Sequence, residues 1–151
     1  MKIKIFKLLV IILLMLNGFT ALKGGYCLIN DPSGENSGVS VMWIKDSPFT
    51  DYYIPGMLLV IFNGYLSLII AFLVLFKVRK YSYLIMLQGF ILIIWITTEL
   101  FMVKIWDPLP PWVFIPLPYF VALYYLIAIL LVVIGYLLTK KERQIQNTNA
   151  D

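Results

Sequence analysis

The sequence predicts an all-α membrane protein: an antiparallel four-transmembrane-helix bundle with an outer loop that carries a short interfacial segment. Of its 151 residues, 62% are hydrophobic and only 13% are charged, whereas a soluble domain has about 45–50% apolar and roughly 25% charged residues. The apolar residues also fall into four runs, each close to the roughly 20 residues that cross a hydrocarbon core of about 30 Å. Together these observations exclude an ordinary soluble domain.

The four runs are predicted as transmembrane helices over residues 5–22, 54–76, 81–103 and 117–138. The last three runs contain a single charged residue, Glu99, and regular helix is expected because irregular backbone facing lipid leaves its peptide groups unsatisfied. The first run contains Lys7 and follows a basic start, so a cleaved signal peptide is the alternative. An uncleaved helix is favoured, because cleavage after Ala21 would need a small residue where Phe19 stands.

The basic residues predict the orientation of the bundle, because lysine and arginine collect on the cytoplasmic side of a membrane. Nine of the 12 fall before the first helix, between the second and third, or after the fourth. Both termini are therefore predicted to be cytoplasmic, with outer loops over 23–53 and 104–116 and a cytoplasmic tail over 139–151. The net charge of +4 is explained by this asymmetry, and no nucleic-acid partner is expected.

The two outer loops differ in composition. In the first, residues 30–34 are rich in turn formers, residues 39–44 are predicted to lie along the membrane surface, and Ser47-Pro48 is expected to start a short helix. In the second, several prolines exclude a regular helix.

The first outer loop and its flanks carry a recognisable pattern. Gly24-Gly25 is expected to close the first helix, Asp31-Pro-Ser-Gly34 follows, and residues 47–56 read Ser-Pro-Phe-Thr-Asp-Tyr-Tyr-Ile-Pro-Gly. This pattern, mainly over residues 24–64, resembles an uncharacterised family of short bacterial four-helix integral membrane proteins. The resemblance implies the same topology and a bacterial inner membrane, and it supplies no activity and no catalytic residues.

Polar residues within the predicted helices mark a candidate site. An ionisable side chain in lipid is costly and usually faces the bundle interior or an aqueous cavity. At helical spacing, Glu99 shares a face with Trp95 and Gln88, and the second helix has a stripe of small and polar residues at positions 56, 63, 67 and 71. The orientation places several of these in the outer half of the membrane, so we predict a polar cavity. Its candidate members are Glu99, Asn63, Asn17, Trp95 and Gln88.

A purely structural interpretation of these residues stays open. Asn17 and Asn63 would then pair across helices, and Glu99 would reach the headgroups or a lysine at position 23, 45 or 104. In the first outer loop, Asp31 and Asp51 are candidate contacts, with no distance between them predicted.

The sequence excludes several kinds of chemistry. It has no histidine and one cysteine, Cys27, so histidine metal sites, Ser-His-Asp or Cys-His nucleophiles and CxxC redox centres are absent. No cofactor, metal or catalytic residue is predicted. A non-enzymatic protein acting through lipid or protein contacts is favoured, with the bilayer and a homo-oligomer or membrane protein as partners. The alternatives are a carrier subunit with an outer-leaflet cavity around Glu99, or a small enzyme acting on lipid or quinone.

Overall fold

The computed structural model describes residues 2–78, 80–102 and 116–148. They form four helices, each long and apolar enough to cross a membrane, so the predicted all-α four-helix fold is confirmed. The second outer loop, predicted over 104–116, lies outside the described residues except for Pro116. The four helices are α1 (Lys2–Asn30), α2 (Tyr53–Leu75), α3 (Tyr81–Met102) and α4 (Pro116–Thr148).

Helix α1 is longer than the predicted 5–22, and Gly24-Gly25 does not end it. Glycine in a helix costs up to about 1 kcal/mol relative to alanine, but here Gly25 lies directly against α2, where a side chain would collide. The helix ends at Asn30 instead. Pro32 follows two residues later, and proline disfavours helical backbone at the residue before it.

Helix α4 also extends beyond its predicted end at residue 138. Lysine, arginine and glutamate at positions 140–143 are good helix formers, so nothing local stops the helix in the predicted tail. Two hydrogen bonds attach this extension to the start of α3: Ser82 Oγ donates to Glu142 Oε2 (2.7 Å), and Arg143 Nη2 donates to the Tyr83 hydroxyl (2.8 Å). We call the end of the bundle that contains the α2–α3 turn the hairpin end.

The opposite end of the bundle, here called the loop end, carries residues 31–52. These residues form two short 3₁₀ turns, Glu35–Ser37 and Val41–Ile44, joined by bends. The helix expected to start at Ser47-Pro48 is absent. Instead, Ser47 Oγ accepts a hydrogen bond from the Phe49 N–H (3.2 Å), a side-chain turn that competes with helix formation.

The helices pack as two antiparallel pairs, α1 with α2 and α3 with α4. In the first pair Gly18 faces Gly64 and Gly25 faces Gly56. In the second, Gly89 faces Ala128 and Gly135 faces Ser82. In both pairs the contact positions rise along one helix as they fall along the other, which defines an antiparallel arrangement. Small residues let the backbones approach closely, as expected for helices packed in lipid.

The outward faces of all four helices are apolar. Leu8, Phe72, Ile94 and Leu126 are 60%, 55%, 65% and 54% exposed, and many other large apolar side chains are exposed with them. A soluble monomer rarely carries such a continuous apolar surface, whereas contact with lipid chains satisfies it. The core lies between the helix pairs and includes Leu14, Ile85 and Leu131, each fully buried.

Candidate functional site

Four polar side chains meet in the middle of the bundle. Asn17 from α1, Asn63 and Ser67 from α2, and Gln88 from α3 are each at most 1% exposed; we call them the polar cluster. Asn17 Nδ2 donates to Ser67 Oγ (2.8 Å) and to the Asn63 carbonyl oxygen (3.3 Å). Asn17 and Asn63 therefore pair across α1 and α2, but the bond goes to the backbone carbonyl of Asn63 rather than to its side chain.

A π-helical segment, Leu59–Tyr65, makes these contacts possible. The Leu66 N–H bonds to the Ile61 carbonyl, five residues back, so it does not bond to the Phe62 carbonyl as it would in an α-helix. The Phe62 carbonyl instead accepts a hydrogen bond from Gln88 Nε2 (3.2 Å). This bond joins the two helix pairs. Sequence reasoning missed the π-helical segment, for which Asn63-Gly64 in mid-helix was the available signal.

Two atoms of the polar cluster lack a hydrogen-bond partner. They are Asn63 Nδ2 and Gln88 Oε1, one donor and one acceptor, both buried. The direct contact between the two side chains, from Gln88 Nε2 to Asn63 Oδ1, is 3.5 Å, at the outer limit for a hydrogen bond. The Phe62 carbonyl is therefore the main hydrogen-bond partner of Gln88. The contact between the Gln88 and Asn63 side-chain amides is weak.

A cavity of about 890 Å³ lies at the loop end of the bundle. Its described wall is largely apolar and is formed by the end of α1, the 31–52 loop, the first turns of α2, the last turns of α3 and the start of α4. Ile94 and Phe120 line it and are 65% and 58% exposed. The polar side chains in the described wall are Ser37, Tyr52, Thr98 and Glu99.

Glu99 is the only acidic side chain in the described wall of this cavity. The indole of Trp95, one turn earlier on α3, lies close to its carboxylate. No ion pair joins Glu99 to Lys23 or Lys45, and Lys104, the third expected partner, lies outside the described residues. Nor is any basic residue found among the described wall residues. The Glu99 carboxylate thus faces an apolar space without a charged partner from the described chain.

Tyr52 holds the loop against this cavity. Its hydroxyl donates to the Ser40 carbonyl (2.9 Å), its N–H donates to the Pro32 carbonyl (2.9 Å), and its side chain is 7% exposed. Burial, together with the negative charge of Glu99, raises the pKa of the Tyr52 hydroxyl to about 12. Tyr52 is therefore neutral at physiological pH and acts as a hydrogen-bond donor.

The five residues predicted to form one polar cavity occupy two places. Glu99 and Trp95 line the cavity, whereas Asn17, Asn63 and Gln88 belong to the polar cluster. Glu99 follows Gln88 by eleven positions on α3, which is about 16 Å along a helix. Phe62 connects the two places, because its side chain lines the cavity and its carbonyl accepts the bond from Gln88.

The two candidate aspartates of the loop have local structural contacts. Asp31 accepts hydrogen bonds from the Ser33 hydroxyl and from the Asn36 N–H (2.8 Å), and these bonds lower the pKa of its carboxyl. Asp51 Oδ1 accepts from the Tyr53 N–H (2.9 Å) at the start of α2. Neither lines the cavity. Across the described residues, no group of three histidine, cysteine, aspartate or glutamate side chains is placed to hold a metal ion.

Sequence reasoning did not identify the loop residues that complete the cavity. Trp43, Pro48 and Phe49 line it, although their aromatic and apolar character fits membrane-interface residues equally well. Comparison with protein-family models, curated proteins and solved structures gives no match. The resemblance of residues 24–64 to a bacterial membrane-protein family therefore stays a hypothesis.

Proposed function

We propose that the protein is a non-enzymatic integral membrane protein that holds a lipid-like amphipathic molecule in the cavity at its loop end. The observation that carries this proposal is a largely apolar cavity of about 890 Å³ whose described wall includes exposed apolar side chains. Ligand pockets commonly have volumes of about 300–1,000 Å³, with mostly apolar walls and a few placed polar groups. An alkyl chain fits such a wall, and Glu99 provides a polar contact.

The arrangement of ionisable groups favours binding over catalysis. General acid–base chemistry on a lipid usually needs two groups within hydrogen-bond reach of the reacting atoms. In the described wall of the cavity the ionisable side chains are Glu99 and Tyr52, and the Tyr52 hydroxyl is bonded to the Ser40 carbonyl. The polar cluster is separate from both.

Mass spectrometry of the full chain, purified in mild detergent, tests this proposal. We expect a small amphipathic molecule to copurify near one per chain, and Val121→Trp or Leu58→Trp to displace it by filling the cavity. Leu126→Trp is the matched control, because Leu126 lies on α4 but faces outward at 54% exposure. Each variant must keep its helical circular dichroism. Equal retention by cavity-filling and control variants, or copurification of a protein with no small molecule, would contradict the proposal.

We further propose a bacterial inner-membrane location with both termini in the cytoplasm. Described basic residues collect at the hairpin end, including Lys4, Lys77 and Lys140, while the loop end carries most of the acidic residues. This asymmetry is the one that orients helical membrane proteins.

Cysteine accessibility tests the orientation. In a Cys27→Ser background, Asn36→Cys in the loop should react with a membrane-impermeant maleimide on intact spheroplasts. Lys141→Cys at the hairpin end should react only after the membrane is permeabilised. Both side chains are exposed, so local burial does not limit labelling. The opposite labelling pattern would reverse the orientation, and labelling of both in intact cells would exclude a spanning bundle of four helices.

A further inference from the structure

We infer that the molecule held in the cavity carries a positively charged amine head group, and that Glu99 and the aromatic wall around it recognise this group. The inference rests on the proposed function and specifies the class of ligand. Its basis is the presence, in the wall of one cavity, of a carboxyl group without a basic neighbour among the described wall residues and of several aromatic rings.

The charge of Glu99 favours a cationic ligand. Glu99 is exposed where it lines the cavity, and a carboxyl group among apolar residues ionises more readily when a positive charge lies beside it. The described wall supplies the indole of Trp95 nearby and no basic side chain. An amine or quaternary ammonium group entering the cavity would provide a positive charge beside the Glu99 carboxylate. An anionic head group would instead meet a like charge.

The rings in the wall favour the same ligand class. Trp43, Phe49, Phe62, Trp95 and Phe120 all line the cavity. A cation over the face of an aromatic ring is attracted by the ring quadrupole, by about 0.5–1 kcal/mol at exposed sites and about 2 kcal/mol or more when desolvated. An alkyl-substituted ammonium gains from both the rings and the carboxylate, while its chain contacts the apolar residues.

A metal ion fits this wall less well than an organic cation. Hard cations such as calcium take six to eight oxygen ligands, and Glu99 is the only carboxylate in the described wall. The neighbouring Tyr52 hydroxyl bonds to Ser40. An organic ammonium group needs fewer oxygen contacts than a metal ion. The aromatic rings of the wall can supply further attraction to its positive charge.

Binding of three amphiphiles with the same chain tests the inference: hexadecyltrimethylammonium, hexadecanol and hexadecyl phosphate. Their affinities are measured by tryptophan fluorescence on the full chain in a neutral maltoside detergent. We expect the ammonium compound to bind at least about tenfold more tightly than the alcohol, which corresponds to about 1.4 kcal/mol, and the phosphate to bind most weakly. Glu99→Gln should abolish most of this preference, because the ammonium compound then loses more affinity than hexadecanol does.

Two further variants complete the test. Glu35→Gln removes an exposed acidic side chain at the same loop end that does not line the cavity. The preference for the ammonium compound should persist in this variant, which would show that general attraction to the acidic surface does not cause it. Trp95→Leu should weaken ammonium binding several-fold with little effect on the alcohol. Equal binding of the three amphiphiles by the unmodified chain, or an undiminished preference in Glu99→Gln, would overturn the inference and leave the proposed function standing. Failure of all three to bind would overturn both.

Discussion

Gly25→Ala should destabilise the bundle by about 2–3 kcal/mol, the upper part of the range for overpacking a tight interface. A methyl group at Gly25 would lie 2.8 Å from the Gly56 carbonyl oxygen, 3.2 Å from the Val60 N and 2.5 Å from Val60 Cγ2. Because two of these atoms are backbone, side-chain rotation cannot relieve the collision, and α1 must move away from α2. The free energy of unfolding is measured by titration with sodium dodecyl sulfate in mixed micelles.

The adjacent glycine provides a matched control. A methyl group at Gly24 would meet only Leu59 Cδ2, at 3.7 Å, an ordinary van der Waals distance. Gly24→Ala should therefore be neutral or stabilise the protein, since alanine is a better helix former by up to about 1 kcal/mol. If the two substitutions have the same effect on the free energy of unfolding, α1 and α2 are not in close contact at Gly25.

Gln88→Met should cost about 1 kcal/mol, whereas Asn63→Leu should change the free energy of unfolding by less than about 0.5 kcal/mol. Methionine removes the bond from Gln88 Nε2 to the Phe62 carbonyl, and an unpaired buried carbonyl is unfavourable. Leucine at position 63 removes the 3.5 Å contact with Gln88 and also the unpartnered Asn63 Nδ2. Hydrogen bonds between membrane helices average about 0.6 kcal/mol, so neither change should abolish folding.

A double-mutant cycle separates the two contacts of Gln88. The coupling between Gln88→Met and Asn63→Leu should be small, because the Phe62 carbonyl, a backbone group, is retained in both variants. A coupling above about 1 kcal/mol, beyond the error of additivity for such pairs, would show instead that the two side-chain amides bond strongly to each other. The polar cluster would then join the helix pairs through side chains rather than through the π-helical segment.

The two pairs of helices give the cavity its position. Glycines bring the backbones together within each pair, and Gln88 joins the pairs through the Phe62 carbonyl. Toward the loop end, α2 and the last turns of α3 both contribute residues to the cavity wall. The polar cluster is thus a structural connection at the inner end of the proposed binding site, and Glu99 belongs to the site.

Four helices could be predicted from the residues alone, because hydropathy over about 20 residues is a local property that lipid selects directly. All four predicted starts and two of the four predicted ends lie within about three residues of the observed ones, close to the normal uncertainty for helix termini. The basic residues before the first run, between the second and third and after the fourth likewise indicated that successive helices run in opposite directions.

The remaining features depend on contacts between residues distant in the chain. Gly24-Gly25 has the composition of a helix end, and helix α1 continues through it because α2 packs against Gly25. The π-helical segment leaves the Phe62 carbonyl without its bond within the helix, and Gln88 on α3 donates a hydrogen bond to that carbonyl. Likewise, helical spacing placed Gln88 and Glu99 on one face of α3. Their positions along the helix decide which parts of the structure each side chain contacts. Gln88 meets the α2 backbone, and Glu99 meets an apolar cavity completed by a loop more than 40 residues away in the chain.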